Sequence, residues 1–317
     1  MSKILITGAT GFVGAAVCRF LREKGHMLSG TTRDGDRRAG PGNVPLYHIP
    51  VIGPDTEWSQ PVSGADAVIH LAARVHVMKD READPLAASR HINTEGTRQL
   101  AAAAAAAGVK RFIFVSTTKV MGELSGDRPF SENDEAQPED AYGISKWEAE
   151  QVLRNIGRST TMETVIVRPP LVYGPGVKGN FLSLLKACEK RWPLPLGAIK
   201  NSRSLIYVDN LAEAISTCLD HSGAAGQTYF VSDGNDVSTP ELIRRIAKAL
   251  GRQANIINLP LSGLKAAGLL IGKSAAIGRL TGSLTVDSAK IRNETRWSPV
   301  CSMTEGLKRT AEWYLGK

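Results

Sequence analysis

Lys3-Ile4-Leu5-Ile6-Thr7-Gly8-Ala9-Thr10-Gly11-Phe12-Val13-Gly14 opens the chain. Its first residues form an apolar run without polar alternation, the pattern of a strand buried on both faces. Glycines three apart follow, and Val13, Val17, Phe20 and Leu21 then recur at helical spacing. Strand, glycine turn and helix in that order begin a parallel α/β unit. Working outward, residues 27–32, 67–72, 111–116 and 163–168 read as further buried strands. Residues 11–24, 84–107 and the segment from Tyr142 read as helices between them. The alternation predicts an α/β fold with a doubly wound parallel sheet covered by helices on both faces. The alanines at 101–107 favour a helix that sits close to a sheet.

After Arg168 the pattern breaks: Pro169, Pro170, Pro175, Pro193 and Pro195 mark irregular chain. A strand at 204–208 and helices at 210–219, 239–250 and 303–313 follow. The expected division is residues 1–168 plus about 202–236 for the first domain, and about 169–201 plus 237–317 for a smaller, discontinuous C-terminal lobe.

With 317 residues, 42% hydrophobic and 22% charged, the chain has an ordinary globular composition. Cys18, Cys188, Cys218 and Cys301 are scattered with no metal-ligand spacing, so reduced thiols and no metal are expected. No basic segment leads into an apolar core at the start, which points to a cytoplasmic protein. Residues 259–271 are apolar but interrupted by Pro260, Gly263, Lys265 and Gly268, and read as a packing helix without stable membrane insertion. The net charge of +8 is spread out and carries no nucleic-acid motif, so no nucleic-acid partner is expected.

The chemistry concentrates in a few places. Gly8, Gly11 and Gly14 let backbone amides approach a pyrophosphate at a helix N-terminus, in a G-x-x-G-x-x-G variant of the dinucleotide fingerprint. At the end of the second strand, Thr32 stands where an acid would hold a ribose 2′-hydroxyl, and Arg33 follows. A guanidinium without that acid favours a 2′-phosphate, hence NADP(H) over NAD(H), with Arg37 and Arg38 as assistants. His70 reads as a core histidine, and Leu71, Ala72 and Ala73 as small residues that let a cofactor pass. Asn93 either organises the Lys146 region or ties helix to strand. Ser116 and Thr117 end a strand where a crevice is expected. Tyr142 and Lys146 fall one helical turn apart, and an ammonium there is expected to lower the phenol pKa.

Gly8/Gly11/Gly14, His70-Leu-Ala-Ala73, Asn93, Ser116-Thr117, Tyr142/Lys146, Arg168-Pro-Pro170-Leu-Val-Tyr-Gly174 and Arg203-Ser-Leu-Ile-Tyr-Val208 together resemble the extended short-chain dehydrogenase/reductases, in their nucleotide-sugar branch. The resemblance covers nearly the whole chain. It implies a Rossmann domain with a lobe for a nucleoside diphosphate sugar, and a homodimer formed through the helices near 84–107 and 142–153. It implies a cofactor site of Gly8, Thr10, Gly11, Phe12, Val13, Gly14, Thr32, Arg33, Leu71, Ala72, Ala73, Asn93, Tyr142, Lys146 and Pro169. Tyr142, Lys146, Thr117 and Ser116 would be catalytic, and Thr117, Thr118, Asn180 and Arg203 would meet a UDP-sugar. Arg74 and Lys178 read as surface residues.

Related 4,6-dehydratases carry Thr-Asp-Glu where this chain has Thr117-Thr118-Lys119, which argues against elimination. Met121 stands where many relatives have Tyr. Two readings stay open: a 4-epimerase that retains NAD, and a 4-reductase of a UDP-4-keto-6-deoxy-(N-acetyl)hexosamine for surface polysaccharide. Arg33 favours the reductase. A sensor that binds dinucleotide without catalysis is a distant third, since such proteins generally lack the Tyr/Lys pair.

Overall fold

The computed structural model describes residues 1–75, 82–270 and 274–316. Its strands are β1 (Lys3–Thr7), β2 (Met27–Thr32), β3 (Leu46–His48), β4 (Ala67–His70), β5 (Arg111–Val115), β6 (Glu163–Arg168), β7 (Leu171–Tyr173), β8 (Leu205–Tyr207) and β9 (Thr228–Phe230). Its helices are α1 (Phe12–Glu23), α2 (Ser59–Val62), α3 (Pro85–Ser89), α4 (Gly96–Ala106), α5 (Ala141–Ser159), α6 (Gly179–Glu189), α7 (Val208–Asp220), α8 (Thr239–Ala249), α9 (Leu261–Leu270), α10 (Ser274–Thr281), α11 (Ala289–Thr295) and α12 (Met303–Tyr314).

Seven strands form one sheet in the order β3-β2-β1-β4-β5-β6-β9, and every neighbouring pair is parallel. Alternate residues of β1 serve opposite faces. Ile4 and Ile6 join Val17 and Leu21 of α1 and Leu211 and Ile215 of α7 on one face. Leu5 joins Leu100 and Ala104 of α4 and Leu153 of α5 on the other. Ala101 and Ala104 of α4 are fully buried in the same cluster as Val68 and Phe112.

The expected 84–107 helix runs from Pro85 to Ala106 with a widened middle. Asp84 caps α3, accepting from Leu86 N at 3.0 Å and Ala87 N at 2.9 Å, and Pro85 sits in the first turn. A wide π-turn, Arg90–Glu95, then separates α3 from α4. Strands β3, β7 and β9, three residues each, fell below what the apolar pattern marks as a strand.

β7 and β8 pair in parallel as a second, small sheet. Tyr173, Tyr207 and Phe181 stack there, with ring centroids 5.5 and 5.6 Å from Tyr173, and the Tyr173 hydroxyl donates to Asp233 at 2.8 Å. Helix α9 realises most of the expected 259–271 element, although Ile271 lies outside the described residues. Pro260 precedes this helix, Gly263 and Lys265 are tolerated inside it, and Leu264 packs into the main core.

A buried ion pair locks α5 to β6. Arg168 donates to Glu150 through Nε at 3.0 Å and Nη2 at 2.6 Å, and Arg154 Nη2 reaches the same carboxylate at 3.0 Å. Trp147 and Phe230 offer their rings to the Arg168 guanidinium. Removing one partner of such a pair strands the other charge in the core, at a cost of about 3–5 kcal/mol. Glu150→Ala should therefore lose about that much in urea unfolding, while Glu150→Leu combined with Arg168→Met should recover most of it.

Candidate active site

Because the sheet is wholly parallel, the carboxyl ends of its strands share one edge. Thr7 and Gly8, Thr32, His70 and Leu71, Ser116 and Thr117, and Arg168 and Pro169 all stand there. The strand order reverses between β1 and β4, the position where open α/β sheets leave a ligand crevice.

The glycine turn is a backbone cradle. Gly8 has φ of 70°, and a Cβ on it would meet Ala72 N at 2.9 Å. A Cβ on Gly14 would lie 2.1 Å from the Gly8 carbonyl oxygen, which is how close α1 comes to the end of β1. Gly11 N donates to Gly8 O at 2.9 Å, while Thr10 is half-buried and Phe12 and Val13 pack on the core. Helix α1 has no side-chain cap and no acid in its first turn. Its first N–H groups are thus left for an anion.

At the end of β2, Thr32 is buried and its hydroxyl accepts from Asp34 N at 3.1 Å. Arg33 is exposed next to it, Arg37 Nε donates to Ala39 O at 3.2 Å, and Arg38 is exposed. Leu71, Ala72 and Ala73 are half-buried beyond β4. Asn93, buried in the π-turn, holds this loop: its Oδ1 accepts from Arg74 N at 2.8 Å, and Nδ2 donates to Arg74 O and to Ser145 Oγ, each at 3.0 Å. Asn93 thus ties the loop to α5 directly.

Asp140 caps α5, taking Gly143 N on Oδ1 at 2.7 Å and Lys119 Nζ on Oδ2 at 2.5 Å. A Cβ on Gly143 would come within 2.7 Å of Lys119 O, so the start of α5 presses on the turn after β5. That contact sets the start of α5, which carries Tyr142, against the turn that follows Thr117. Ser116 Oγ is buried with no hydrogen-bond partner among the described residues. Thr117 Oγ1 accepts from Lys119 N at 3.3 Å. Thr118 is buried, its N–H on Pro169 O at 3.1 Å.

Lys146 is 1% exposed, with Nζ 3.7 Å from the Phe114 ring centroid. Burial pulls its pKa from 10.5 down to about 7, against the opposing pull of Glu150 one turn on. The expected lowering of the Tyr142 pKa is not found. Burial pushes the half-buried phenol above its ordinary value and Asp140 adds to the push, because the cost of placing a phenolate here exceeds any help from a lysine that is itself desolvated. The pair presents a protonated tyrosine, suited to donate.

The C-terminal residues lie further out. Asn180 is exposed in the first turn of α6, after exposed Lys178. Arg203 is half-buried and donates through Nη1 to Arg279 O at 2.7 Å and Gly282 O at 3.4 Å. Burial lowers its pKa, with Glu123 pulling the other way. The Glu150–Arg168 pair and the Asp140–Lys119–Glu123 cluster escaped sequence reasoning. Glu150 continues the 142/146 face by one turn, and Asp140 sits where a helix cap belongs, so spacing held both signals. Among the described residues no three His, Cys, Asp or Glu side chains cluster to hold a metal, and no helix is long and apolar enough to cross a membrane. All four cysteines are free and buried.

The glycine cradle, the uncapped α1 and the unpartnered Ser116 fit a dinucleotide and a polar ligand group. The comparisons agree with that fit. Residues 4–232 match the model of the NAD dependent epimerase/dehydratase family. A UDP-glucose 4-epimerase of Vibrio cholerae is 43% identical over 317 residues, spanning 99% of this chain and 95% of its own. An N-acetyl-alpha-D-glucosaminyl-diphospho-ditrans,octacis-undecaprenol 4-epimerase of Escherichia coli O157:H7 is 28% identical, spanning 98% and 95%. The fold is that of a Thermotoga maritima UDP-glucose 4-epimerase solved with UDP-glucose (TM-score 0.79, 22% identity, 99% of each chain). It is also that of a Bacillus cereus UDP-glucuronic acid 4-epimerase solved with NAD (TM-score 0.78, 22% identity, 98% and 96%).

Two outcomes follow from the geometry. Gly14→Ala should lower the melting temperature and weaken NAD binding at least about tenfold by calorimetric titration, because the methyl meets backbone that cannot yield. Lys146 has a folded pKa of about 7 against 10.5 free, so between those values the unfolded chain keeps a proton that the folded chain has released. Stability therefore rises with pH across that window. Lys146→Met should flatten the rise and be the more stable protein at pH about 6, measured by denaturant unfolding.

Proposed function

The chain belongs to the NAD dependent epimerase/dehydratase family, and within it we propose a nucleotide-sugar enzyme that oxidises and reduces C4 of a UDP-hexose, with 4-epimerisation as its net reaction. The observation that carries this reading is that the capped start of α5, with Tyr142 and Lys146 one turn apart on it, packs on the turn after Thr117 at the end of β5. The name of the 43% identical Vibrio cholerae relative, alike over nearly its whole length, supports epimerisation as the outcome.

Each half-reaction moves one hydride and one proton. A nicotinamide dinucleotide held along the glycine turn would supply the hydride chemistry. Tyr142 holds the proton at Oη: as a phenol it donates to the C4 alkoxide on reduction, and as base it removes the hydroxyl proton on oxidation. Lys146 lies one turn along the same face, its Nζ against the Phe114 ring, and would hold the nicotinamide ribose. Thr117 and Ser116 orient the C4 oxygen, and Ser116 Oγ, which has no other partner among the described residues, is left to do so. Thr118, Asn180 and Arg203 meet the substrate, Arg203 through a phosphate. The dinucleotide lies along Gly8 to Gly14, Thr32, Arg33, Leu71 to Ala73, Asn93 and Pro169. Residues 1–168 with about 202–236 would bind it, the remainder would bind the sugar nucleotide, and the active form would be a cytoplasmic homodimer.

A second reading is favoured by one observation. Arg33 is exposed at the end of β2 beside a threonine whose hydroxyl already serves the backbone, with no carboxylate at that position. Such a site suits NADP(H) and net reduction of a UDP-4-keto-6-deoxy-(N-acetyl)hexosamine for surface polysaccharide.

One assay separates the two. Interconversion of UDP-glucose with UDP-galactose, or of UDP-GlcNAc with UDP-GalNAc, without net change in cofactor absorbance is expected for the epimerase. Stoichiometric oxidation of NADPH by a UDP-4-keto sugar, with no interconversion, would overturn it in favour of the reductase. In either case Tyr142→Phe should lower kcat by about 10²–10⁴ while leaving dinucleotide affinity intact.

A further inference from the structure

His70 is fully buried, aromatic on both sides, and outside the proposed chemistry, yet both its ring nitrogens are engaged. Nε2 lies 2.9 Å from Thr97 Oγ1, and Nδ1 lies 2.6 Å from Thr7 Oγ1. The partners fix the direction of every bond. Thr97 Oγ1 donates its only hydrogen to Asn93 O at 2.6 Å, so it accepts from His70. Nε2 then carries the proton and Nδ1 is the acceptor. Thr7 Oγ1 must donate to Nδ1, and its remaining lone pair accepts Ala72 N–H at 3.2 Å.

The chain of bonds continues at both ends. Leu71 N donates to Thr7 O at 3.3 Å, so two successive amides after β4 are pinned to Thr7. Asn93, whose carbonyl receives Thr97, holds Arg74 and reaches Ser145 Oγ on α5, and Ser145 donates onward to Tyr142 O at 2.9 Å. Phe114 stacks on His70 with centroids 5.7 Å apart and carries the Lys146 ammonium on its ring.

We infer that His70 is a positioning residue: as the neutral Nε2–H tautomer it sets the Leu71–Arg74 loop against the glycine turn and registers that loop to the helix bearing Tyr142 and Lys146. The inference rests on the proposal that this loop borders the dinucleotide. The contact of Ala72 N with the space over Gly8 makes the loop and the cradle one surface, so a shift in one spoils the other. Burial and the nearby Lys146 keep the ring neutral, down to a pKa of about 3, and so preserve the donor–acceptor pattern through the working pH range.

The test uses the full chain. Nitrogen-15 NMR of histidine in the wild type should show the Nε2–H tautomer for His70; the Nδ1–H tautomer would overturn the inference, whatever the protein turns over. His70→Phe keeps the stack on Phe114, and Thr7→Val keeps shape. Each should weaken NAD binding, read by calorimetric titration without substrate, by about tenfold, the loss of one buried hydrogen-bonded link. The double variant should be no weaker than either single one, because both cut the same chain. A lowered melting temperature with NAD affinity within about twofold of wild type would mark His70 as merely structural and overturn the assignment. Should the wild type bind NAD yet act on no UDP-sugar, the proposed reaction fails while this inference is still decided by the binding series.

Discussion

An ammonium with 1% of its surface exposed is the constraint around which this site is built. Burial of a charge costs several kcal/mol unless something compensates. Lys146 is compensated by the face of Phe114 and by Glu150 one turn away, and Glu150 is in turn held by Arg168 and Arg154. The same arrangement fixes the packing of α5 on β5 and β6. The helix cannot rotate without exposing Glu150 to an apolar core or pulling Lys146 off its ring, and Tyr142 is carried on that helix. Position at the crevice and stability of the sheet are therefore set by the same few contacts.

The regular half of the chain was legible because each of its strands is long enough to show. β1, β2 and β6 fall where the apolar runs put them, to the residue, and α1 and α12 differ by single residues at their ends. The alanine run at 101–107 marked a helix, and α4 carries it through Ala106. What was lost is short or local. β3, β7 and β9 have three residues each, too few for a period. The π-turn Arg90–Glu95 has no sequence mark, since a helix that widens by one residue keeps helical composition, yet that turn is what faces Asn93 toward Arg74 and Ser145.

The site was legible as a set of residues and less so as a set of energies. Spacing put Tyr142 and Lys146 on one helix face, and the parallel sheet put Ser116 and Thr117 at its carboxyl edge. Spacing alone also suggested that the lysine would depress the phenol, because proximity is visible in a sequence and desolvation is not. Both groups pay for their burial, in opposite directions: the phenol is raised and the ammonium lowered. Their proton affinities, nearly equal in water, are driven apart, which leaves the phenol protonated and brings the lysine close to its titration point.

The segment Thr118-Lys119 shows how local packing can restrict reaction type. Elimination needs an acid and a base beyond the tyrosine. Here position 119 carries a cation that donates to Asp140 and Glu123, at 2.5 and 2.7 Å, and whose carbonyl oxygen abuts Gly143. A carboxylate in its place would face Asp140 and Glu123 as a third like charge, and would release the cap of α5. The lysine at 119 thus helps anchor the start of α5, so placing a carboxylate there would require rebuilding the cap at 140 as well.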